Sequence, residues 1–551
     1  MSIQSDYKNS YFNVLAISIS FNFMICVFAP LEFYLSNKAN LFFDGRDMFF
    51  VIPTFFTSTT MMTIFLYFFS KLDYRVFKII LGLVLGIMIA LYFQGNYDKT
   101  DYGAWDGSAI DWNSFKTEGL LWGTFFVICI VLAIIFASKV DSEKFFYIIR
   151  LISICLILIQ VVTIIMLLID KKGLSKESEY VAIEDGECEF SSQENLIVLI
   201  LDSYDSMMLS EIVDGENGQH YADMLRDFTF YPDTLGMYSY TNLAVPAIIT
   251  GQNYYNDMTY GEYLKSAYRN SDILDSLRNY DWGIGIYSDA SFPNSSDAIR
   301  DIENCKKIKR TVTSHRRLAG YMYRFVGFRY LPQPLKKYCQ FYPGDMESKI
   351  GSNDGGYTLF GTMNKSFEKL IPIATADRTD KVFKLIHLYG AHPPYHINAD
   401  NMEVEEATTE IDTCKGNLEM VNVFLNKLKD IGAYDNSTII ICADHGVMQL
   451  RQSPLFVIKY KKESHDFEIS DIPFSYEEFP SILKSVIEGN DNNKTKRIIK
   501  DNSSKKRVYL EYSHDTLYYD SYCSDITEYE LDGVAYDQTN LRETGEVFRR
   551  P

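Results

Sequence analysis

Long apolar stretches dominate the first third of the chain. Residues 11–35, 48–70, 76–96, 120–139 and 145–170 carry few charges. Each approaches the roughly 20 residues that an α-helix needs to cross a bilayer. A buried core helix explains one such stretch; five in succession read as a transmembrane domain over residues 1–170. Before the first run the only basic residue is Lys8, and the run is too long for a cleaved leader, so a retained helix is expected. Five spans place the termini on opposite sides. Lys71, Arg75, Lys139 and Lys144 suit the cytoplasm and the acidic segment 97–119 suits the outside, but Lys171, Lys172 and Lys176 oppose that assignment. Trp105 and Trp112, in a loop after the third stretch, read as headgroup-level anchors or as substrate contacts.

After residue 170 the pattern changes. Residues 171–193 are polar and charged, as in a juxtamembrane linker. Over 194–488, short apolar runs alternate with helical patterns, for example 415–431 ahead of Gly432. That alternation predicts a mixed α/β sheet covered on both faces. Residues 489–506, rich in Asn and Lys, read as a surface loop. Residues 507–512 and 528–531 alternate like strands, so 489–551 is expected to form a loop and a small C-terminal β element.

Candidate chemistry sits where apolar runs stop. Asn195–Leu201 is aliphatic without alternation, a strand buried on both faces, and Asp202 ends it. A carboxylate there needs a partner or a metal unless it lies in an exposed turn with Ser203, Tyr204 and Asp205. Residues 437–443 form a second such run, closed by Asp444, His445 and Gly446. This pair offers one oxygen and one nitrogen ligand to a divalent metal; a hydrogen-bonded turn is the competing reading. Residues 383–388 run into a Gly/Pro loop carrying His392, and His387 within the run reads as a core residue or a support for the site. Pro246 and Gly251 bracket a short helix beginning soon after Thr241. Thr241 is then either an N-cap or a hydroxyl placed where a helix N-terminus favours an anion.

Composition narrows the functional classes. A net charge of −19 excludes a nucleic-acid binder and leaves little general attraction to anionic lipid. The nine cysteines include no Cys-x-x-Cys pair, which removes zinc-ribbon and thioredoxin readings. Cys188, Cys305, Cys339, Cys414 and Cys523 could pair outside the cytoplasm, but spacing does not say which, and free thiols are the default expectation. No glycine-rich nucleotide loop and no internal repeat is present.

Together, Asp202, Thr241 ahead of Thr250-Gly251, His392 in its Gly-x-His-x-Pro loop, and Asp444-His445 resemble the motif set of the alkaline phosphatase superfamily. The likeness is to its membrane-anchored sulfatase-like branch, which includes lipoteichoic acid synthases and phosphoethanolamine transferases. It covers roughly residues 190 to 490, including Pro454–Lys459 and Ser470–Phe474. The resemblance implies a helical membrane domain followed by an α/β alkaline-phosphatase-like (sulfatase-like) domain at 194–488. It implies one divalent metal ion (Mn²⁺, Zn²⁺ or Mg²⁺) held by Asp202, Thr241, Asp444 and His445, with Thr241 as nucleophile. His392 would be the substrate-binding acid or base. The implied reaction moves phosphoglycerol or phosphoethanolamine from a membrane lipid donor to a glycan or glycolipid acceptor outside the cytoplasm, through a phospho-threonine. Hydrolysis at the same site, and a non-catalytic role in surface polysaccharide export, are the alternatives.

Two departures are visible. Thr241 and Val245 stand where sulfatases carry the Cys or Ser that becomes formylglycine and the Arg four residues on, so formylglycine chemistry does not fit. Asp202 stands where the named transferases usually carry Glu. Arg316, Arg317 and Lys459 are positional candidates for gripping phosphate.

Overall fold

The computed structural model describes residues 2–551 apart from 39–40, 72, 103–109, 172, 175–178, 290–291, 294, 342, 354–356, 448–450, 504, 514–516 and 518. The chain forms two compact units: Met1–Glu177 with Lys309–Asp354, and Ser178–Ile308 with Gly355–Pro551. This division departs from the contiguous segments drawn from the sequence, because 309–354 leaves the soluble fold and joins the helices.

The first unit contains five helices long and apolar enough to cross a membrane: Tyr11–Asn37, Gly45–Phe69, Tyr74–Tyr97, Lys116–Lys139 and Ser142–Asp170. Their starts follow from capping. The Asp73 carboxylate accepts from the Arg75 and Val76 amides, Asp141 accepts from Glu143, and Asp44 forms a reciprocal capping box with Asp47. The third and fourth helices touch through small residues. A Cβ added to Gly82 would lie 2.7 Å from the Ala137 Cβ, and one at Gly86 would lie 2.7 Å from the Ile130 Cα. Such close approach stabilises helix pairs where lipid offers no hydrophobic drive between them. Outward side chains such as Leu120 and Ile169 are 72% and 75% exposed, as lipid-facing positions would be.

Residues 309–354 complete this unit. Helix His315–Tyr330, capped by Ser314, buries Leu318, Met322, Phe325, Val326 and Tyr330 against the helix ends. Phe325 stacks on Phe33 with ring centroids 4.1 Å apart. The tip of the loop expected to carry Trp105 lies outside the described residues, while Trp112 packs at 5.6 Å from Tyr102 and 6.2 Å from Phe328.

The second unit is built on a seven-stranded mixed sheet. Its strands in chain order are β1 (Asn195–Leu201), β2 (Thr229–Phe230), β3 (Trp282–Tyr287), β4 (Lys381–Leu388), β5 (Ser437–Cys442), β6 (Phe456–Lys459) and β7 (Glu468–Ile469). The spatial order is β7-β2-β6-β5-β1-β4-β3. β5, β1, β4 and β3 run parallel, and β6 is antiparallel to β5. β1 is buried at every position, as its unbroken aliphatic run requires. Leu196, Val198 and Ile200 face one layer, with the helices Thr241–Thr250 and Phe479–Ile487; Ile197, Leu199 and Leu201 face the other, with Glu410–Asp430. That is the period-two alternation of a strand between two helical layers.

Two expectations change. Glu179–Ala182 pairs with Cys305–Ile308, and Glu189–Ser191 pairs with Thr375–Arg378, so parts of the expected linker 171–193 are paired edge strands. Asn492–Asn502 is a helix capped by Asp491 rather than a loop; its Thr495 and Ile499 are buried, so an amphipathic turn pattern outweighs the polar composition. The expected C-terminal element is a three-stranded antiparallel sheet, Arg507–Glu511, Ile526–Leu531 and Leu541–Phe548. None of the nine cysteines is in a disulfide.

Candidate metal centre and nucleophile

The parallel register fixes the site. His387 and Cys442 both pair with Ile200, so Asp202, His387 and Asp444 gather at the C-terminal ends of three adjacent strands. Ligands bind at that edge in open α/β sheets. One oxygen or nitrogen from each of these three residues lies within 4.8 Å of the others.

The loop after β1 is tightly held. Ser203 has φ +57°, its amide donates to Asp444 Oδ1 at 3.2 Å, and its hydroxyl donates to Asp202 Oδ1 at 2.8 Å. Tyr204 and Asp205 are buried and Asp205 caps the next helix, so the exposed-turn reading of this segment does not hold. Opposite it, Gly390 has φ +57°, and a Cβ there would meet the Asp202 nitrogen at 2.3 Å and its oxygen at 2.4 Å. Only glycine fits that approach.

Thr241 is the first residue of helix Thr241–Thr250, and the N-cap is Tyr240, which makes no side-chain cap. The capping role therefore does not apply. Instead Thr241 Oγ1 lies 3.3 Å from His445 Nε2 and 3.4 Å from Asp202 Oδ2. Gly251 closes the helix with φ +69° and donates its N–H to the Ala247 carbonyl.

His445 is buried, and its Nδ1 donates to the Gly446 carbonyl at 2.7 Å. That bond assigns the Nε2 lone pair to the site, where it faces Thr241 and lies 3.4 Å from Asp444 Oδ2. The Asp444 side chain is fully buried. Its Oδ1 accepts from the His445 and Ser203 amides, whereas its Oδ2 has no hydrogen-bond partner among the described residues. The same holds for His387 Nε2. An orphaned buried carboxylate oxygen and imidazole nitrogen, aimed at one point beside Asp202, fit a divalent cation. The oxygen-rich set with imidazole suits Mn²⁺, Zn²⁺ or Mg²⁺.

The carboxylates favour positive charge at this point, and a proton on His387 would have to leave for that ring to ligate a metal. Burial pushes the Asp202 carboxyl up, but the His387 and His445 rings outweigh it and hold the value at about 2. Burial opposes protonation of His387, yet the Asp202 and Asp289 carboxylates hold its imidazole well above the usual range.

Asp202, Thr241, Asp444 and His445 are thus brought together. His392 is not within bonding distance of them among the described residues. It lies exposed in the loop after β4, with Nδ1 2.5 Å from the Pro393 carbonyl and its ring 5.3 Å from Tyr389, and its charge acts on Asp202. His387, read from sequence as core or support, stands inside the cluster. Lys459 is buried and donates to the Tyr434, Ser437 and Tyr460 carbonyls, and Arg316 and Arg317 belong to the helical unit. Lys459, so engaged, is not part of the site. The cation beside it is Arg451, whose guanidinium lies 4.2 Å from the Tyr240 ring centre, and Tyr240 in turn packs 6.0 Å from His445. No sequence signal singled out Arg451.

No family model matches the chain, and no curated protein matches it. Solved structures with similar folds include Ps i-CgsB in complex with k-i-k-neocarrahexaose, at 12% identity and TM-score 0.39, matching 61% of this chain and 84% of that one. A protein in the alkaline phosphatase superfamily from Vibrio parahaemolyticus matches at 12% identity and TM-score 0.36, over 67% of this chain and 81% of that one. The phosphonate monoester hydrolase SpPMH from Silicibacter pomeroyi matches at 11% identity and TM-score 0.36, over 64% and 88%. At this level of similarity the residues of the site must decide the chemistry.

Proposed function

We propose that the chain is a metal-dependent, membrane-anchored phosphotransferase. The observation that carries this is the Thr241 hydroxyl, 3.3 Å from His445 Nε2 and 3.4 Å from Asp202 Oδ2, at a helix N-terminus beside the two orphaned ligand atoms. Asp202, His387, Asp444 and His445 would hold the cation. When bound, a divalent ion supplies positive charge that lowers the hydroxyl pKa of Thr241 and offsets charge on the phosphate.

Thr241 gives up its hydroxyl proton to solvent, and its Oγ attacks the phosphorus of a phospholipid headgroup. The Oγ–P bond forms as the bond to the diacylglycerol oxygen breaks, and His392, on the exposed loop after β4, would protonate the departing alcohol. An acceptor hydroxyl on a glycan or glycolipid attacks next, gives its proton to His392, and frees Thr241. The transferred group is phosphoglycerol or phosphoethanolamine. Five crossings would anchor the enzyme, with the soluble unit facing away from the cytoplasm.

The test is the intact mass of the full chain in nanodiscs containing phosphatidylglycerol or phosphatidylethanolamine, with Mn²⁺ or Zn²⁺. One headgroup phosphate added to wild type, and none to Thr241→Ala with equal bound metal, is the expected result. Metal-dependent headgroup release without transfer to any glycan acceptor would make the enzyme a hydrolase. Full transfer by Thr241→Ala with normal metal content would remove the assignment.

A further inference from the structure

The chain's charge is locally reversed in the segment that joins the helical unit. Between Lys309 and residue 342 stand eight Lys or Arg and no Asp or Glu, in a protein of net charge −19. Three of the eight are neutralised by carboxylates elsewhere in the unit. Arg310 pairs with Glu347, Arg329 pairs with Glu32, and Lys336 meets Asp98 at 2.8 Å in a buried pair. Arg316, Arg317, Arg324 and Lys337 are exposed and have no carboxylate partner among the described residues.

Their placement is specific. Helix His315–Tyr330 presents Arg316, Arg317 and Arg324 on one face, at helical spacing, and buries Leu318, Met322, Phe325 and Tyr330 on the other. The buried face packs on the ends of the apolar helices. The Tyr323 hydroxyl donates to the Cys26 carbonyl at 3.3 Å, and Arg329 Nε donates to the Gly95 carbonyl at 2.7 Å. Beyond the helix, Lys337 lies beside Tyr338, which is 71% exposed, and Leu335, which is 46% exposed. Arg324 is engaged within the segment, donating to the Gln340 carbonyl and lying 5.0 Å from the Phe341 ring centre. That leaves Arg316, Arg317 and Lys337 as the outward cations, an arrangement that against apolar spans suits headgroup depth.

We propose that this segment is a binding surface for anionic phospholipid headgroups, a basic collar at one end of the helical bundle. The occupant follows from charge complementarity: unpaired cations at the membrane surface are matched by lipid phosphates, and Arg in particular binds phosphate in a forked geometry. The collar reverses, over one small area, the repulsion that the acidic chain otherwise offers to such lipids. The inference rests on the five helices crossing a membrane, and not on Thr241 chemistry.

The experiment uses the full chain in phosphatidylcholine nanodiscs doped with spin-labelled phosphatidylglycerol or spin-labelled phosphatidylcholine. Wild type is expected to immobilise the anionic label about fivefold more strongly than the zwitterionic one. The preference should collapse toward parity in 0.5 M salt, as surface electrostatics do at about that ionic strength. It should also collapse in the triple variant Arg316→Gln, Arg317→Gln, Lys337→Gln, and persist when the two arginines become Lys. Thr241→Ala should leave it unchanged. No preference in wild type, or a preference that survives the triple Gln substitution, overturns the collar. Release of the chain from membranes by alkaline carbonate would instead overturn the five-helix reading beneath it.

Discussion

The Nε2 of His387 lies 3.5 Å from Oδ2 of Asp202, although the two residues are 185 positions apart in the chain. They meet because β4 and β1 are parallel neighbours with His387 in register with Ile200. The contact is too long for a good hydrogen bond and right for two ligands converging on a third atom. If His387 is a ligand, His387→Ala should weaken metal binding by at least about 10–100-fold, the range known for residues that support a metal site. A calorimetric metal titration of the full-length variant reads this directly. A variant that loses thermal stability but keeps wild-type metal affinity would return His387 to the core.

Gly390 offers a test of how the backbone positions Asp202. Gly390→Ala meets two penalties: a left-handed φ of +57°, and contact at 2.3–2.4 Å with backbone atoms of Asp202 that have no rotamer to change. Gly432 has φ +72° with nothing within 4 Å of an added Cβ, so Gly432→Ala carries only the first penalty. The conformational part costs about 1–3 kcal/mol in either variant. Gly390→Ala should melt lower than Gly432→Ala and should lose bound metal, because Asp202 must move. Equal melting points and metal contents would mean that the Gly390 approach relaxes without disturbing the site.

How much of this was visible beforehand depends on locality. β1 and β5 were legible because a strand buried on both faces leaves an unbroken aliphatic run, and the acids that end those runs stand out against it. Thr241 was legible through its spacing to Thr250 and Gly251. His387 was not, because it lies inside the run 383–388, where one polar residue looks the same whether it supports the core or the site. Arg451 was hidden for a different reason: its relation to Tyr240 is a ring contact across 211 residues of chain. Glu179–Ala182 was read as linker because four residues of strand have no signature without their partner, Cys305–Ile308.

Stability should also carry a pH signature from Glu187, which is buried ahead of the strand that leads into Asp202. Burial, reinforced by the Glu184 charge and only partly offset by Lys384, raises its carboxyl from 4.5 to about 8. The raised value means that the folded state holds a proton the unfolded state has released. The contribution is therefore full below pH 4.5 and lost as pH climbs through 8, with a slope of up to about 1.4 kcal/mol per pH unit. Lys384, lowered by burial to about 8, works in a separate window, where stability recovers between 8 and 10.5. Glu187→Gln should remove the falling limb and leave the recovery. Denaturant unfolding of wild type and variant from pH 5 to pH 10 decides it; identical slopes below pH 8 would show that Glu187 ionises normally in the folded protein.

The last prediction concerns where the chain can be cut. A soluble fragment of residues 190–551 looks reasonable from sequence, since the apolar stretches end at residue 170. It would remove strand Glu179–Ala182 and keep 309–354, whose Leu318, Met322, Phe325, Val326 and Tyr330 are buried against the apolar helices. Exposing that many large side chains at once makes an aggregation surface. The structure also supplies the remedy. Arg310–Val312 pairs antiparallel with Gly351–Asn353, and Arg310 stands opposite Asn353, so the two ends of the insert lie one strand spacing apart. A fragment starting at residue 178, with 309–354 replaced by a short Gly-Ser linker, should be monomeric by light scattering, while 190–551 should aggregate. Because Asp202, Thr241, His387, Asp444 and His445 all lie outside the excised segments, the spliced fragment should also bind one divalent ion. Solubility of both fragments would mean that the insert does not depend on the helices for burial; aggregation of both would mean that the second unit does not fold apart from the first.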